Sequence, residues 1–145
     1  MKATFIILIL CLSTYNLMHA QSILGKWISI DDESGVEKAV VEIYEEEGKY
    51  HGKIVQFLEE GVQPDDACEH CKGSMKGKQL MGFKVLKNFE AKGDRYENGT
   101  VTDPEADKTY TSKIWVDKED DSTLYVRGYV SLFYRTQEWK RFRQD

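Results

Sequence analysis

Beyond one apolar run near its start, the 145-residue sequence has no apolar stripe that keeps helical spacing for three turns. That absence leaves no helical framework to build on. It also has no surplus of basic charge: 20 Lys and Arg stand against 25 Asp and Glu, a formal charge of −5. A mildly acidic chain without a basic stripe is a poor partner for nucleic acid or for an anionic membrane surface. There is no internal repeat, low-complexity tract or linker, so one domain with one core is expected. No Gly-x-Ser-x-Gly elbow occurs, which removes the local sign of a serine hydrolase. Cysteine is scarce, with three residues in all.

What is present begins with a leader pattern. "MKATFIILILCLSTYNLMHA" carries one early cation, Lys2, then the apolar run Phe5 to Leu12, then a polar stretch ending at Ala20. This is the layout of a secretory signal peptide over residues 1–20. The run is too short to span a bilayer, which needs about 20 apolar residues, so no membrane span is expected in the mature chain. Cleavage after Ala20 removes Lys2, Cys11 and no acid, leaving residues 21–145 with 19 basic and 25 acidic groups, a charge of −6. The expected address is outside the cytoplasm, periplasmic or extracellular.

The rest reads as strand almost throughout. "EKAVVEIYE" sets Ala39, Val41 and Ile43 against Val40, Glu42 and Tyr44, and "YTSKIWV" sets Tyr110, Ile114 and Val116 against Thr111, Lys113 and Trp115. Similar alternation runs through "GKWISI", "KYHGKIVQFLE", "LMGFKVLKNF", a short piece near Gly99 to Thr102, "TLYVRGYV" and "TQEWKRFR". Turn residues separate these pieces, including Asn98-Gly99 and Asp103-Pro104. About eight short antiparallel strands predict an all-β closed barrel or a sandwich. The longest segment without strand pattern is Glu60 to Gln79.

That segment holds "CEHCKG", residues 68–73. As a zinc site, Cys68 and Cys71 have suitable spacing, but the second cysteine or histidine pair of a closed four-ligand site is missing. His70 would have to bind the same ion from between them, straining the loop. As a redox pair, the motif lacks the helix N-terminus that lowers a thiol's pKa in thioredoxin-like proteins. Against these two alternatives stands a structural disulfide between Cys68 and Cys71, favoured by an exported chain with an even cysteine pair. No metal, cofactor or catalytic residue is assigned.

Four fragments together carry a family resemblance: "GKW", "CEHCKGSMKGKQLMGFKVL", "ENGTVTDPEADKTY" and "LYVRGYVSLFYRTQEWKR". In this order the chain resembles domain of unknown function 2147, a family of small exported bacterial proteins, over roughly Leu24 to Phe142. The most specific matches are Gly99 with Asp103-Pro104 and Tyr110, and Arg127-Gly128-Tyr129 with Arg135-Thr136-Gln137 and Trp139. The resemblance implies a lipocalin-like barrel and no particular reaction. Lipocalin-like barrels also place Gly-x-Trp on the first strand and an Arg from the last strand across that Trp. Gly25 and Trp27 fit the first half of this signature, and Arg141, two residues from Trp139, fits the second.

The leading functional expectation is therefore a non-enzymatic binding module. It would hold a small apolar or amphipathic ligand, or meet an envelope protein. Arg127, Tyr129, Arg135 and Gln137 are the candidate ligand-binding residues, because Arg beside Tyr can take a carboxylate or phosphate in bidentate fashion. Gly25, Trp27, Asp103, Pro104, Trp139 and Arg141 are assigned structural roles. The alternatives are a filled barrel that serves structure or protein interaction, and an enzyme acting through Arg127 and Tyr129. A cavity of a few hundred Å³ with Arg at its mouth favours a ligand. A barrel packed solid by Trp27, Phe83, Tyr110 and Trp139 would remove it.

Overall fold

The structure is a computed structural model, described here for residues 22–144. The leader reading over residues 1–20 lies outside the described residues. Eight antiparallel strands form a closed meander barrel: β1 Gly25–Ile30, β2 Glu37–Glu46, β3 Lys49–Phe57, β4 Lys84–Lys92, β5 Arg95–Asp103, β6 Lys108–Val116, β7 Thr123–Val130 and β8 Phe133–Arg141. Each strand pairs with the next, and β1 closes on β8 through Trp27 opposite Arg141 and Ile28 opposite Lys140. Closure leaves no free sheet edge, which removes the main aggregation hazard of a β protein.

Alternation explains the interior. On β6, Ser112, Ile114 and Val116 point inward, and on β7 Leu124 and Val126 do so. Two strands depart from strict alternation. β3 brings both Ile54 and Phe57 to the interior, because one extra residue, Val55, separates the partners of Val41 and Val40 on β2. β4 buries Val85, Leu86 and Phe89, with Asn88 at φ 62° between them. An extra residue of this kind bends a strand and raises its twist, as barrel closure requires.

The core grades from large to small along the barrel axis. Trp27, Ile23, Leu86, Phe89, Ile114 and Leu124 are fully buried and fill one end. Toward the other end the inward positions are Ala39, Val41, Val101, Val126 and Gly128. Gly99 belongs to the filled end: a Cβ there would meet the Phe89 ring at 2.4–2.5 Å. The ring lies flat on the backbone of β5, which only glycine permits.

Two expectations about element length are corrected. The piece near Gly99 to Thr102 belongs to a nine-residue strand, Arg95–Asp103. β4 starts at Lys84 rather than within "LMGF", because Gly82 sits at φ 78° and Leu80 to Phe83 form a turn closed by Phe83 N–H to Leu80 O at 3.0 Å. The long connection therefore runs from Leu58 to Phe83 and contains one 3₁₀ turn, Gly73–Met75.

Candidate functional site

The filled end is closed by the last strand. The Trp27 indole is fully buried, and its Nε1–H donates to Ile23 O at 2.8 Å. The Arg141 guanidinium lies over the indole, 4.1 Å from the ring centroid. Arg141 Nε donates to Asp121 O at 2.9 Å and Nη2 to Ser22 O at 3.1 Å. Burial lowers the Arg141 pKa from its usual value, although Asp121 acts in the opposite direction. Gly25, at φ 112°, takes a backbone conformation that other residues rarely adopt and lies 3.8 Å, from its Cβ position, from Arg141 Nη1.

The other end is open. The β1–β2, β3–β4, β5–β6 and β7–β8 connections surround a cavity of about 670 Å³. This volume is in the range of small-molecule sites, about 300–1,000 Å³. Its apolar walls include Ala39, Val41, Ile54, Val85, Val126 and Trp139. The cavity remains open because small residues, Ala39, Val41, Val101, Val126 and Gly128, occupy many of the inward positions of this half, leaving space beside Trp139, Phe57 and Tyr110.

A polar group spans one side of the mouth. Asp32, on the β1–β2 loop, receives Arg135 Nε at 3.0 Å and Nη2 at 2.7 Å through Oδ2. Its Oδ1 accepts from Gln137 Nε2 at 3.3 Å, and Gln137 Oε1 accepts from Trp139 Nε1 at 2.9 Å. The row runs from the rim into the cavity wall. The Asp32 carboxylate raises the Arg135 pKa above its usual value through a side-chain hydrogen bond and its charge.

Lys38 anchors the facing side. Its Nζ lies 2.7 Å from Glu59 Oε1 and 3.0 Å from Glu105 Oε1. Glu105 also faces His70 Nε2 at 3.6 Å, and its backbone oxygen accepts from Lys72 N–H at 2.8 Å. Ser74 N–H donates to Asp107 Oδ2 at 2.7 Å. These contacts tie β2, the long connection and the β5–β6 turn together. Asp103 caps that turn by accepting from the N–H groups of Glu105 and Ala106, and Pro104 follows it. Asp103, Pro104 and Glu105 all line the mouth.

Burial opposes the charged form of Lys38, but hydrogen bonds to Glu59 and Glu105 outweigh it and raise the pKa above 10.5. For Glu105, burial acts upward, while the hydrogen bond and charge of Lys38, then those of His70, carry the pKa below 4.5. A depressed carboxylate pKa stabilises the fold above the unfolded value and is lost as pH falls through the folded one. The raised Lys38 pKa contributes below 10.5 and is lost at higher pH, as the folded value is passed. This tie should hold at neutral pH and release in acid, as pH falls through the depressed Glu105 value. Carbon-13 titration of the Glu105 carboxyl should give a midpoint below the ordinary glutamate value, and the Lys72 amide resonance should move with it. An ordinary midpoint with a stationary Lys72 amide would refute the tie.

Cys68 and Cys71 are joined by a disulfide. Both are buried and pack with Met75, Leu80 and Phe83 in a small cluster beside the main core. The bond staples the long connection where it passes the mouth, since Cys68 and His70 line the cavity. Ligand atoms of Cys68, His70 and Cys71 lie within 4.8 Å of one another. With both sulfurs bonded to each other, neither is available as a thiolate, the form that binds metal.

The four candidate ligand residues separate into two pairs. Arg135 and Gln137 line the cavity mouth. Arg127 and Tyr129 lie on the outer face of the barrel, away from the cavity lining. Arg127 Nε donates to Thr136 Oγ1 at 2.8 Å. Its guanidinium lies over Tyr134 at 4.1 Å and Trp115 at 5.0 Å. Arg95 covers Trp115 at 4.4 Å. This cation–aromatic ladder crosses β5 to β8 and stabilises cross-strand pairs. Sequence reasoning missed Asp32, Lys38, Glu59 and Glu105. They come from separate parts of the chain, and only the closed barrel brings them together at the mouth.

The profile of a family described as "Uncharacterized protein conserved in bacteria (DUF2147)" matches residues 25–141. Among solved structures, the fold is similar to that of HP1028 from the human pathogen Helicobacter pylori, described as belonging to the lipocalin family. The match has a TM-score of 0.69 at 16% identity and covers 84% of each chain. No curated protein matches the sequence. Among the described residues, no helix is long and apolar enough to cross a membrane.

Proposed function

The chain belongs to the DUF2147 family of bacterial proteins, and from that premise we propose that it is an exported, non-enzymatic carrier or sensor of one small amphipathic molecule. The observation that carries this reading is the cavity of about 670 Å³ in an otherwise well-packed barrel. The apolar part of the ligand lies among Val41, Ile54, Val85, Val126 and Trp139. Its polar end meets Arg135, Gln137 and Asp32 at the rim. Arg135 is already paired with Asp32, so a ligand anion must compete for it. A neutral polar head, able to exchange hydrogen bonds with Gln137 and Asp32, fits this rim better than a free anion. The disulfide suits action outside the cytoplasm, where such bonds persist.

Native mass spectrometry of the protein purified from its own host tests the reading. One retained small molecule, lost when the cavity is blocked, is the expected result. Protein that is uniformly empty, and that takes up no apolar fluorescent probe, would overturn it.

A further inference from the structure

Among the described residues, the β7–β8 hairpin carries the main cluster of exposed large hydrophobic side chains. Leu132, at the apex, is 93% exposed, Phe133 79%, Tyr134 58% and Val130 55%. Single exposed apolar residues are ordinary; four within five consecutive positions form a patch. The loop between the strands is only Ser131-Leu132, with Ser131 at φ 55°. So tight a turn makes the patch a projecting tip, not a groove.

Position and size narrow the occupant. Val130 and Phe133 also line the cavity mouth, so whatever covers the tip also faces the opening. A stable protein partner needs roughly 800 Å² of surface on each side, more than a tip of this size presents. A bilayer has no such requirement, because it receives an apolar wedge into its interfacial region. Charge selects the lipid. Eight acidic residues line the cavity and its rim. The two Lys or Arg residues there, Lys38 and Arg135, are each paired to two carboxylates. Such a rim repels an anionic surface.

We infer that the Val130–Tyr134 tip docks the barrel, mouth first, on a neutral or zwitterionic lipid surface. Docking depends on the tip alone. The benefit, that an amphipathic molecule moves between bilayer and cavity without crossing water, rests on the binding role proposed above.

Flotation with phosphatidylcholine vesicles tests the docking, and an apolar fluorescent probe independently reads the cavity. Leu132 is outside the cavity lining, so Leu132→Asp is the informative variant. Wild-type protein should float with the vesicles. Leu132→Asp should partition roughly tenfold more weakly, Leu132→Phe should be retained, and all three should bind the probe alike. Adding phosphatidylglycerol should weaken wild-type binding. Failure of the wild type to float, or equal flotation of Leu132→Asp, would overturn the inference whatever the probe reports. Binding that requires phosphatidylglycerol, or a solution dimer abolished by Leu132→Asp, would overturn it in favour of an anionic surface or a second copy. Loss of probe binding with flotation intact would count against the cavity's role and leave the docking standing.

Discussion

Ala39→Trp should abolish most ligand binding while leaving the barrel folded. Ala39 is 5% exposed, points inward from β2 and lines the cavity. Its strand neighbours Ser29 on β1 and Phe57 on β3 also line the cavity. An indole there extends into space that is already open and need not displace the core. Overpacking a filled core costs about 1–3 kcal/mol, and here the cost should lie at or below the low end. Affinity for an apolar probe should fall at least about tenfold, which corresponds to roughly 1.4 kcal/mol. Arg127→Ala is the matched control, because Arg127 stands on the outer face, stacked over Tyr134. It should leave probe affinity within about twofold. If Arg127→Ala abolished binding and Ala39→Trp did not, the ligand would belong on the outer ladder.

Trp27→Ala should have the largest effect on stability. Removing a fully buried Trp costs about 3–5 kcal/mol. The stacked guanidinium adds roughly 0.5–2 kcal/mol, which the same substitution forfeits. Against a typical stability of about 5–15 kcal/mol, this loss threatens the folded state itself. Damage should not stop at the cavity left by the ring. Arg141 also holds Asp121 O, Leu24 O and Ser22 O, and β1 meets β8 at only two residue pairs. The barrel seam therefore depends on this corner. Trp27→Phe keeps an aromatic face under Arg141 but gives up the indole hydrogen bond to Ile23 O, so a smaller loss of about 1–2 kcal/mol is expected. Urea unfolding reads both variants through the midpoint at constant slope. A Trp27→Ala midpoint within error of wild type would show that the seam does not depend on Trp27.

Much of this architecture can be read from residue patterns. Alternation in "EKAVVEIYE" and "YTSKIWV" assigns the inward residues of β2 and β6, because side-chain period in a strand is fixed at two. Gly25, Trp27 and Arg141 are legible as a set through the resemblance to lipocalin-like barrels, and Arg141 does lie over Trp27. The cavity is less legible. Its existence depends on small inward residues from four or more strands facing each other at one end, and no single segment carries that information. Arg127 illustrates a different limit. Its face relative to Leu124 and Val126 follows from spacing within β7. Its relation to Arg135 and Gln137 depends on the Ser131-Leu132 turn, since a one-residue change there would invert β8. Asp32 and Arg135 meet across 103 positions of sequence, a distance that local patterns cannot bridge.

The acid-rich turns show the same boundary between pattern and geometry. As a sequence, Asp103-Pro104 reads as a turn, and nothing singles out Asp32 or Glu105. In the barrel, Asp103 caps its own turn, whereas Asp32 and Glu105 neutralise the two cations of the mouth. That pairing decides the ligand's character: a rim with unpaired Arg would select anions, and this one favours an uncharged polar head.

The most direct measurement is a methyl-resolved NMR titration with an uncharged amphiphile. Saturable one-to-one shifts are expected at Ala39, Val41, Ile54, Val85 and Val126, with Ile43 and Leu124 at the filled end little changed. Absence of shifts, or shifts confined to residues flanking the Arg127 ladder on the outer face, would contradict the placement of the ligand inside the barrel.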